Sequence, residues 1–320
     1  MGRFVPDHFA VAVTSNGSMY TYGSGSCATR AFSYLGQAIP YKTVPVVSVT
    51  AQNASGATTR NYRNELWKLT SGAMLQSYYD AGANNPLNIG MGTATVTATG
   101  YGVGTMSPNA ADTVTWVRST TAPQSPFNAQ AVDIVSAVDN TDSAVNGLIV
   151  SAAAAYIQPA FDAGASMRYG RISLGNAYGI ETQSLAVPVE AQYWNGSTWV
   201  TNTSDSCTSI PASAFTMGNW NNNLSACKTS LGSSSALTLG RASVVLSAPG
   251  TGNAGTVDLG LNVGSTASGS VCINGASTAS TALGLTYLQG AWTGGSWTAN
   301  PVARESFGTF GLVPGFRREN

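Results

Sequence analysis

The chain has 320 residues, carries a formal net charge of zero, and contains 9% charged and 43% apolar residues. Because globular proteins carry about 25% charged residues, this composition excludes a basic nucleic-acid-binding surface and an acidic tail. The apolar fraction excludes intrinsic disorder. Ser, Thr, Asn and Gly supply the polarity instead, which is typical of β-sandwich surfaces and turns and indicates an exported protein.

The first half of the chain is predicted to form short strands separated by turns. Val44–Gln52 alternates apolar with polar residues, and Thr93–Thr99 alternates Thr with Ala and Val, as half-buried strands do. Glu65–Leu69 is predicted as a further strand. The alanine-rich stretch Ala152–Ala163 has no helix start or stop signal, so we interpret it as a short helix or a loop.

The second half repeats the pattern of strands and tight turns. Ala186–Trp194 is predicted as a long strand that returns through Thr198–Asn202. Between them, Asn195-Gly196 predicts a tight hairpin, because both residue types tolerate the positive φ of a type I′ turn. Leu237–Ala248 is predicted as one long strand with a bend at Gly240.

Regular strands with turn signals about every 8–12 residues predict an all-β fold with very little helix. The length suits two domains of about 150 residues each. We therefore predict two tandem antiparallel β-sandwich domains, Ig-like or jelly-roll-like, over residues 1–165 and 166–320.

Four cysteines, Cys27, Cys207, Cys227 and Cys272, predict disulfides in an exported chain. The absence of CxxC and the presence of one histidine argue against a zinc site. Pairing Cys207 with Cys227 closes a loop of about 20 residues and contributes roughly 3 kcal/mol in the chain-entropy model. Cys27 with Cys272 follows by elimination, and four buried thiols are the alternative.

Neither a signal peptide nor a membrane span is visible in the sequence. Its longest apolar run, Leu148–Ile157, is too short to cross a bilayer, and no apolar segment follows the first residues. If the protein is exported, its targeting sequence is expected to lie upstream of this sequence.

Catalytic patterns are missing from the sequence. There is no GxSxG, HExxH or P-loop. His8 is the only imidazole and is interpreted as a surface or strand-edge residue. The acids Glu65, Glu181, Glu190 and Glu305 are scattered along the chain, so we do not expect an enzyme.

One oxygen-rich segment gives a calcium hypothesis. Asp139, Asp142 and Asn146 supply carboxylate and amide oxygens within a few residues, the ligand type that Ca²⁺ prefers. The EF-hand spacing is absent, and an Asx-rich turn explains the same residues. No other cofactor is predicted.

Tryptophans concentrate in the second half of the chain. Trp194, Trp199 and Trp297 are candidates for stacking on sugar rings if they are exposed on one sheet face. The alternative is core packing, since a strand pattern turns half of its large rings inward.

Several short motifs can be compared with known families. They are Arg168–Arg171, Asn176–Gly179, Val187–Val189, Tyr193–Gly196, Asn202–Cys207, Gly2–Phe9, Phe32–Gln37 and the run that ends at Tyr62. In pattern they resemble the C-terminal region of MshQ-like proteins, large exported bacterial proteins encoded with genes for type IV pilus biogenesis. The tail Phe307–Asn320 departs from that pattern, because it lacks a tyrosine-rich last strand.

The resemblance implies a non-enzymatic extracellular structural or adhesion protein, associated with the bacterial cell surface or with type IV pili. The partners it implies are pilus or other cell-surface proteins. One alternative is a carbohydrate-binding β-sandwich module that binds glycans. Another is a homo-oligomeric filament subunit, in which the ends Arg3–Thr14 and Pro301–Asn320 complete a neighbour's sheet.

Overall fold

The structure is a computed structural model that describes residues 5–22, 30–141, 143–232 and 235–308. The prediction of an all-β fold of antiparallel sandwiches with very little helix is confirmed. Over these ranges the α-helical content is one four-residue turn, α1 Ser143–Asn146, and the short 3₁₀ turns are Asn64–Leu66, Ser71–Ala73, Ala212–Ala214 and Thr286–Leu288.

The chain divides into two compact units. Unit 1 comprises Met1–Val117 and Pro126–Met167, and unit 2 comprises Arg118–Ser125 and Arg168–Asn320. The segment Arg118–Ser125 thus lies in the first half of the sequence and belongs to unit 2.

Unit 1 contains four sheets, and most of its strand pairs are antiparallel. Its strands are β1 His8–Ser15, β2 Ser18–Met19, β3 Phe32–Tyr34, β4 Ile39–Thr43, β5 Val46–Gln52, β6 Met74–Asp80, β7 Leu87–Gly90, β8 Thr95–Gly100, β9 Val103–Ser107, β10 Thr113–Trp116, β11 Phe127–Asn128, β12 Ala131–Asp139, β13 Ile149–Val150, β14 Ala155–Ile157, β15 Ala160–Phe161 and β16 Ser166–Arg168, the last of which ends at the junction with unit 2.

The main core of unit 1 lies between two of these sheets. One has the order β1-β5-β9-β8, and the other contains β12 with β6, β13 and β14. Val47 and Val49 of β5 and Val135 of β12 are completely buried in one cluster with Met106 and Phe9. Each such side chain contributes about 1.5–3 kcal/mol when fully buried. The predicted alternation in Val44–Gln52 is confirmed by the burial of every second residue of β5.

Over the described residues, unit 2 contains two four-stranded sheets and two two-stranded sheets. Its strands are β17 Gly170–Leu174, β18 Tyr178–Gly179, β19 Leu185–Trp194, β20 Trp199–Thr201, β21 Ser209–Ile210, β22 Phe215–Asn222, β23 Ser235–Ala236, β24 Arg241–Leu246, β25 Gly255–Leu261, β26 Ser270–Ile273, β27 Ala276–Ala279 and β28 Val302–Phe307.

Each four-stranded sheet of unit 2 buries one face. In the first, β19 pairs with β17, β20 and β24 and buries Val187 and Val189. In the second, with the order β18-β28-β25-β22, Val257 and Leu259 of β25 and Phe307 of β28 are buried. The period of two places every second side chain inside.

Four predicted elements differ from the structure. Leu237–Ala248 is a strand only over β24, Arg241–Leu246, and a turn with Gly240 at a φ of +76° precedes it. Glu65–Leu69 does not form a strand, because a 3₁₀ turn occupies Asn64–Leu66. Ala152–Ala163 contains β14 and β15 instead of a helix. The loop after β19 is four residues long rather than two, since Trp194 pairs with Trp199 and the Asn195 side chain accepts hydrogen bonds from the Ser197 and Thr198 N–H groups.

The two ends of the chain are paired over the residues that the structure describes. β1 pairs with β5 along its length. β28 lies inside its sheet, antiparallel to β25 and parallel to β18. The expectation that Arg3–Thr14 and Pro301–Asn320 are unpaired is therefore wrong for β1 and β28, and residues 1–4 and 309–320 lie outside the described ranges.

Candidate functional site

The most distinctive group of side chains in unit 2 is an aromatic cluster formed by the three predicted tryptophans. Trp199 and Trp297 are stacked with centroids 5.3 Å apart, and Trp194 meets the edge of Trp199 at 5.8 Å. Tyr169 packs edge-on against both Trp199 and Trp297. The cross-strand pair Trp194–Trp199 forms because the four-residue loop sets these residues opposite each other.

Two arginines that the sequence did not single out complete this cluster. The guanidinium carbon of Arg171 lies 4.0 Å from the ring centroid of Trp199 and 4.6 Å from that of Trp292. Its Nε donates to Gln192 Oε1 at 2.9 Å. Burial lowers the pKa of Arg171 to about 10, so the side chain is still a cation at neutral pH. A desolvated cation–π contact contributes about 1–2 kcal/mol.

Arg118 holds the segment Arg118–Ser125 in unit 2. Its guanidinium donates to the carbonyl oxygens of Gln289 at 2.6 Å, Trp297 at 2.9 Å and Gly170 at 3.3 Å. It also lies 4.1 Å over the ring of Tyr169. Burial lowers the pKa of Arg118 to about 10. This arginine thus connects a distant stretch of sequence to the aromatic cluster.

The ring faces of the cluster are largely used within the unit. The Trp199 ring contacts Arg171 and Trp297, and the Trp297 ring contacts Trp199 and Tyr169. All three predicted tryptophans are half-buried. Among the described aromatic side chains, Trp194 contacts Trp199 alone. The structure therefore brings the glycan-stacking candidates together, but in a packed arrangement in which Trp194 has the fewest partners.

The predicted pairings of Cys207 with Cys227 and of Cys27 with Cys272 are both wrong, because Cys227 is paired with Cys272. Cys227 bonds to Cys272 of β26, with Cα atoms 5.2 Å apart and a sequence separation of 45. Leu231 N donates to Cys272 O at 2.8 Å, which brings the loop after Cys227 alongside β26. The partner of Cys227 is therefore set by the path of the backbone and not by the length of the loop that the disulfide closes. Cys207 is also disulfide-bonded, whereas Cys27 lies outside the described residues.

The calcium hypothesis stays a prediction. Asp139 is buried and accepts hydrogen bonds from the Tyr62 hydroxyl at 2.8 Å and from Thr141 N at 3.0 Å. Asn146 ends α1, and Asp142 lies outside the described residues. Over the described part of the chain, no group of three or more His, Cys, Asp or Glu side chains is placed to hold a metal ion.

Each unit contains a completely buried carboxyl group. Asp133 of β12 has its pKa raised to about 6 by burial, and Glu305 of β28 has its pKa raised to about 8 by burial. His8, the single imidazole, lies at the start of β1 between Asp7 and Gln52. Its pKa is raised, mainly by the hydrogen bond to Asp7.

No helix within the described ranges is long and apolar enough to cross a membrane. The fold and the site define the class of protein as an all-β chain of two units with an internally packed aromatic cluster. More particularly, the chain belongs to the DUF6701 family. Residues 1–162 match the third domain of DUF6701 and residues 168–313 match its fourth domain.

Solved structures with some likeness to the chain include the Yersinia pseudotuberculosis adhesin InvE and the I-band fragment I67–I69 from titin. InvE is 11% identical, with 94% of this chain and 59% of that chain covered and a TM-score of 0.27. The titin fragment is 9% identical, with 95% and 66% covered and a TM-score of 0.24. The chain thus spans less than two thirds of either, and likenesses at these TM-scores carry no argument about function. No curated protein matches the chain.

Proposed function

We propose that the chain is a non-enzymatic, extracellular structural and adhesion module of a bacterial surface or type IV pilus protein, related to the MshQ-like proteins. The observation that carries this proposal is the aromatic cluster of unit 2. Its rings and its two arginines contact one another and nearby backbone carbonyls. The side chains of unit 2 that would best suit a ligand are therefore used to stabilise the unit itself.

The covalent chemistry of unit 2 supports the extracellular part of the proposal. Disulfides such as Cys227–Cys272 persist in oxidising compartments and are rare in the bacterial cytosol. This disulfide connects the turn at Cys227 to β26, and the cation–π contact of Arg171 connects β17 to Trp199 of β20. A display domain under external force benefits from such cross-links.

A carbohydrate-binding module is the second candidate, and one observation favours it. The three predicted tryptophans are contiguous and half-buried, and among described rings Trp194 has Trp199 as its single aromatic neighbour. A sugar ring that stacks in unit 2 would therefore use Trp194. In this view the remainder of the cluster supports the half-buried ring of Trp194.

The filament alternative also has one observation in its favour. Among the described strands, β8 pairs with β9 alone and lies at the edge of its sheet. An open edge accepts a further strand by main-chain hydrogen bonds. Because β28 is paired on both sides within its sheet, we place this alternative at β8.

The test compares bacteria that carry the native gene, a deletion strain, and strains complemented with variants. Antibody against the folded chain should label intact cells, and the deletion should reduce attachment to surfaces. Complementation with Trp194→Ala should restore attachment fully. Loss of attachment by a folded Trp194→Ala variant would instead favour the carbohydrate-binding module, and labelling only after permeabilisation would contradict the extracellular role.

A further inference from the structure

A shallow depression on unit 1 is lined by Arg60, Asn61, Arg63 and Tyr101. Tyr101 lies in the turn between β8 and β9, and the other three residues precede the 3₁₀ turn Asn64–Leu66. They belong to unit 1 and are not members of the aromatic cluster of unit 2.

The backbone beneath the depression is fixed by hydrogen bonds. Gly102 N donates to Tyr62 O at 3.1 Å, and Ala51 N of β5 donates to Gly102 O at 2.8 Å. Gly102 has a φ of +76°, and a Cβ at this position would lie 2.5 Å from Thr59 O. The turn therefore requires glycine here in order to approach the opposite segment. Tyr62 itself is buried in the core of unit 1.

The two arginines are cations without an acidic partner. Both are exposed, and among the described residues neither side chain forms an ion pair or a hydrogen bond. By contrast, the exposed Arg241 and Arg304 of unit 2 pair with carboxylates, at 3.0 Å and 2.7 Å. In a chain with 14 basic residues, two unpaired guanidinium groups beside one depression favour an anionic ligand.

An aromatic ring lies directly beside these cations. The guanidinium carbon of Arg63 lies 4.3 Å from the ring centroid of Tyr101, and Tyr101 is 55% exposed. A guanidinium over a ring keeps N–H donors at its edge available, and these match the geometry of carboxylate and sulfate oxygens. The amide of Asn61 adds a donor and an acceptor that suit hydroxyl groups.

We propose that Arg60, Asn61, Arg63 and Tyr101 form a binding site for an anionic sugar residue of an acidic polysaccharide. The arginines bind the carboxylate or sulfate, Tyr101 contacts the apolar face of the sugar ring, and Asn61 binds a hydroxyl. The site gives the chain an acidic polysaccharide as its ligand. This inference goes beyond the structural and adhesive role proposed above and does not depend on it.

The experiment titrates the full chain by calorimetry with three probes: galacturonic acid oligomers, heparin-derived oligosaccharides and neutral dextran oligomers. Binding of the first is expected for a carboxylated ligand, and binding of the second for a sulfated one. Arg60→Gln and Arg63→Gln should each lower the affinity about tenfold, as expected for loss of a charge-assisted hydrogen bond. Tyr101→Ala should lower it about fivefold through loss of ring contact.

Lys42→Gln is the matched control, because it removes the same charge from a lysine of unit 1 that is paired with Asp162. The affinity of this variant for the acidic probes should change less than about twofold, since Lys42 does not line the depression. Tyr156→Ala is the control for an exposed ring, as Tyr156 is also 55% exposed. Failure of both acidic probes to bind at millimolar concentration would overturn the proposal. So would equal binding of dextran, or equal losses in Lys42→Gln and Arg63→Gln when circular dichroism shows both folded.

Discussion

Two completely buried carboxyl groups, Asp133 of unit 1 and Glu305 of unit 2, have different numbers of hydrogen-bond donors. Asp133 of unit 1 accepts hydrogen bonds from Gln76 Nε2 at 2.9 Å and from Ser77 N at 3.1 Å, and Tyr78 also binds it. Glu305 of unit 2 accepts one from Ala177 N at 2.7 Å through Oε2, while Oε1 has no partner among the described residues. Both side chains are completely buried.

The number of donors explains the difference in acidity. Burial raises both pKa values, to about 6 for Asp133 and about 8 for Glu305. Three donors offset part of that rise for Asp133, whereas a single donor leaves most of it for Glu305. At neutral pH Asp133 is therefore mainly a carboxylate within a polar network, and Glu305 is mainly a neutral acid with a single donor.

The polar network around Asp133 reaches a second sheet of unit 1. The hydroxyls of Tyr41 in β4 and Tyr78 in β6 are 2.9 Å apart, and Gln76 Nε2 also donates to Tyr78 at 2.9 Å. Burial raises the pKa of both tyrosines well above the usual value, so both stay neutral donors. Unit 1 thus joins two sheets through hydrogen bonds, whereas unit 2 uses aromatic packing and a disulfide.

The largest expected effect comes from removing the covalent link of unit 2. The double variant Cys227→Ser, Cys272→Ser should lose roughly 4 kcal/mol of unfolding free energy, the chain-entropy value for a loop of this length. Hydrogen exchange resolved by peptide should show faster exchange in β25 and β26. Hydrogen exchange in β5 and β12 of unit 1 should be unchanged. An equal increase of exchange in both units would contradict a stabilising effect of the disulfide that is confined to unit 2.

Glu305→Gln should make the stability of unit 2 less dependent on pH. Because the pKa of Glu305 is raised by folding, the wild-type unfolding free energy falls as the pH rises from about 4.5, its value when unfolded, to about 8. The amide mimics the neutral acid, so the variant should match wild type at pH 5. At pH 7 it should be more stable by on the order of 3 kcal/mol, since each pH unit above the unfolded pKa contributes about 1.4 kcal/mol.

Urea unfolding at pH 5, 7 and 9 measures this difference. The exposed residue Glu65 provides the control Glu65→Gln, which should show no pH-dependent gain. An equal increase in unfolding free energy of Glu305→Gln at pH 5 and pH 9 would mean that the charge of Glu305 does not cause the stability difference.

Gln76→Ala should bring the pKa of Asp133 closer to that of Glu305. Removing the donor at 2.9 Å should raise the pKa of Asp133 above about 6, by about one unit for one hydrogen bond. Carboxyl ¹³C chemical shifts followed through a pH titration report this value directly. Gln158→Ala, at an exposed glutamine of unit 1, should leave the titration of Asp133 in place. An unchanged pKa in Gln76→Ala would refute the role of donor number.

Tyr41→Phe is expected to have the smallest effect. It removes one hydroxyl from the pair with Tyr78, which keeps its contacts with Gln76 and Asp133. The loss should be about 1 kcal/mol, typical of a single hydrogen bond, and thermal unfolding measures it. A loss several times larger would show that the network holds the two sheets together more strongly than its separate bonds indicate.

Local patterns in the sequence predicted those parts of the molecule in which neighbours along the chain decide the structure. The alternation in Val44–Gln52 identifies β5 and its buried face, because period two is a property of the strand itself. Ala152–Ala163 was misread, because alanine favours helix locally whereas pairing with β12 and β2 selects strands. Tertiary contact overrode propensity there.

The candidate site was predictable only in part. The tryptophan content pointed to Trp194, Trp199 and Trp297, but not to Arg118, which arrives from a distant segment. Cys227 pairs with Cys272 because the chain path brings them together, which loop length does not reveal. The burial of Glu305 could have been predicted from the sequence. Ala303, Glu305 and Phe307 share one face of β28, so burial of that face also buries a carboxyl group.

The excursion of Arg118–Ser125 into unit 2 has a consequence for cleavage of the chain. A protease that cuts after Met167 separates the polypeptide into two pieces, yet Arg118–Ser125 stays on the N-terminal piece. Arg118 remains bonded to three carbonyls of the C-terminal piece, and the Tyr169 hydroxyl remains bonded to Ser119 O at 2.6 Å. The nicked protein should therefore elute as one particle and come apart only in denaturant, as a fragment-complementation pair does.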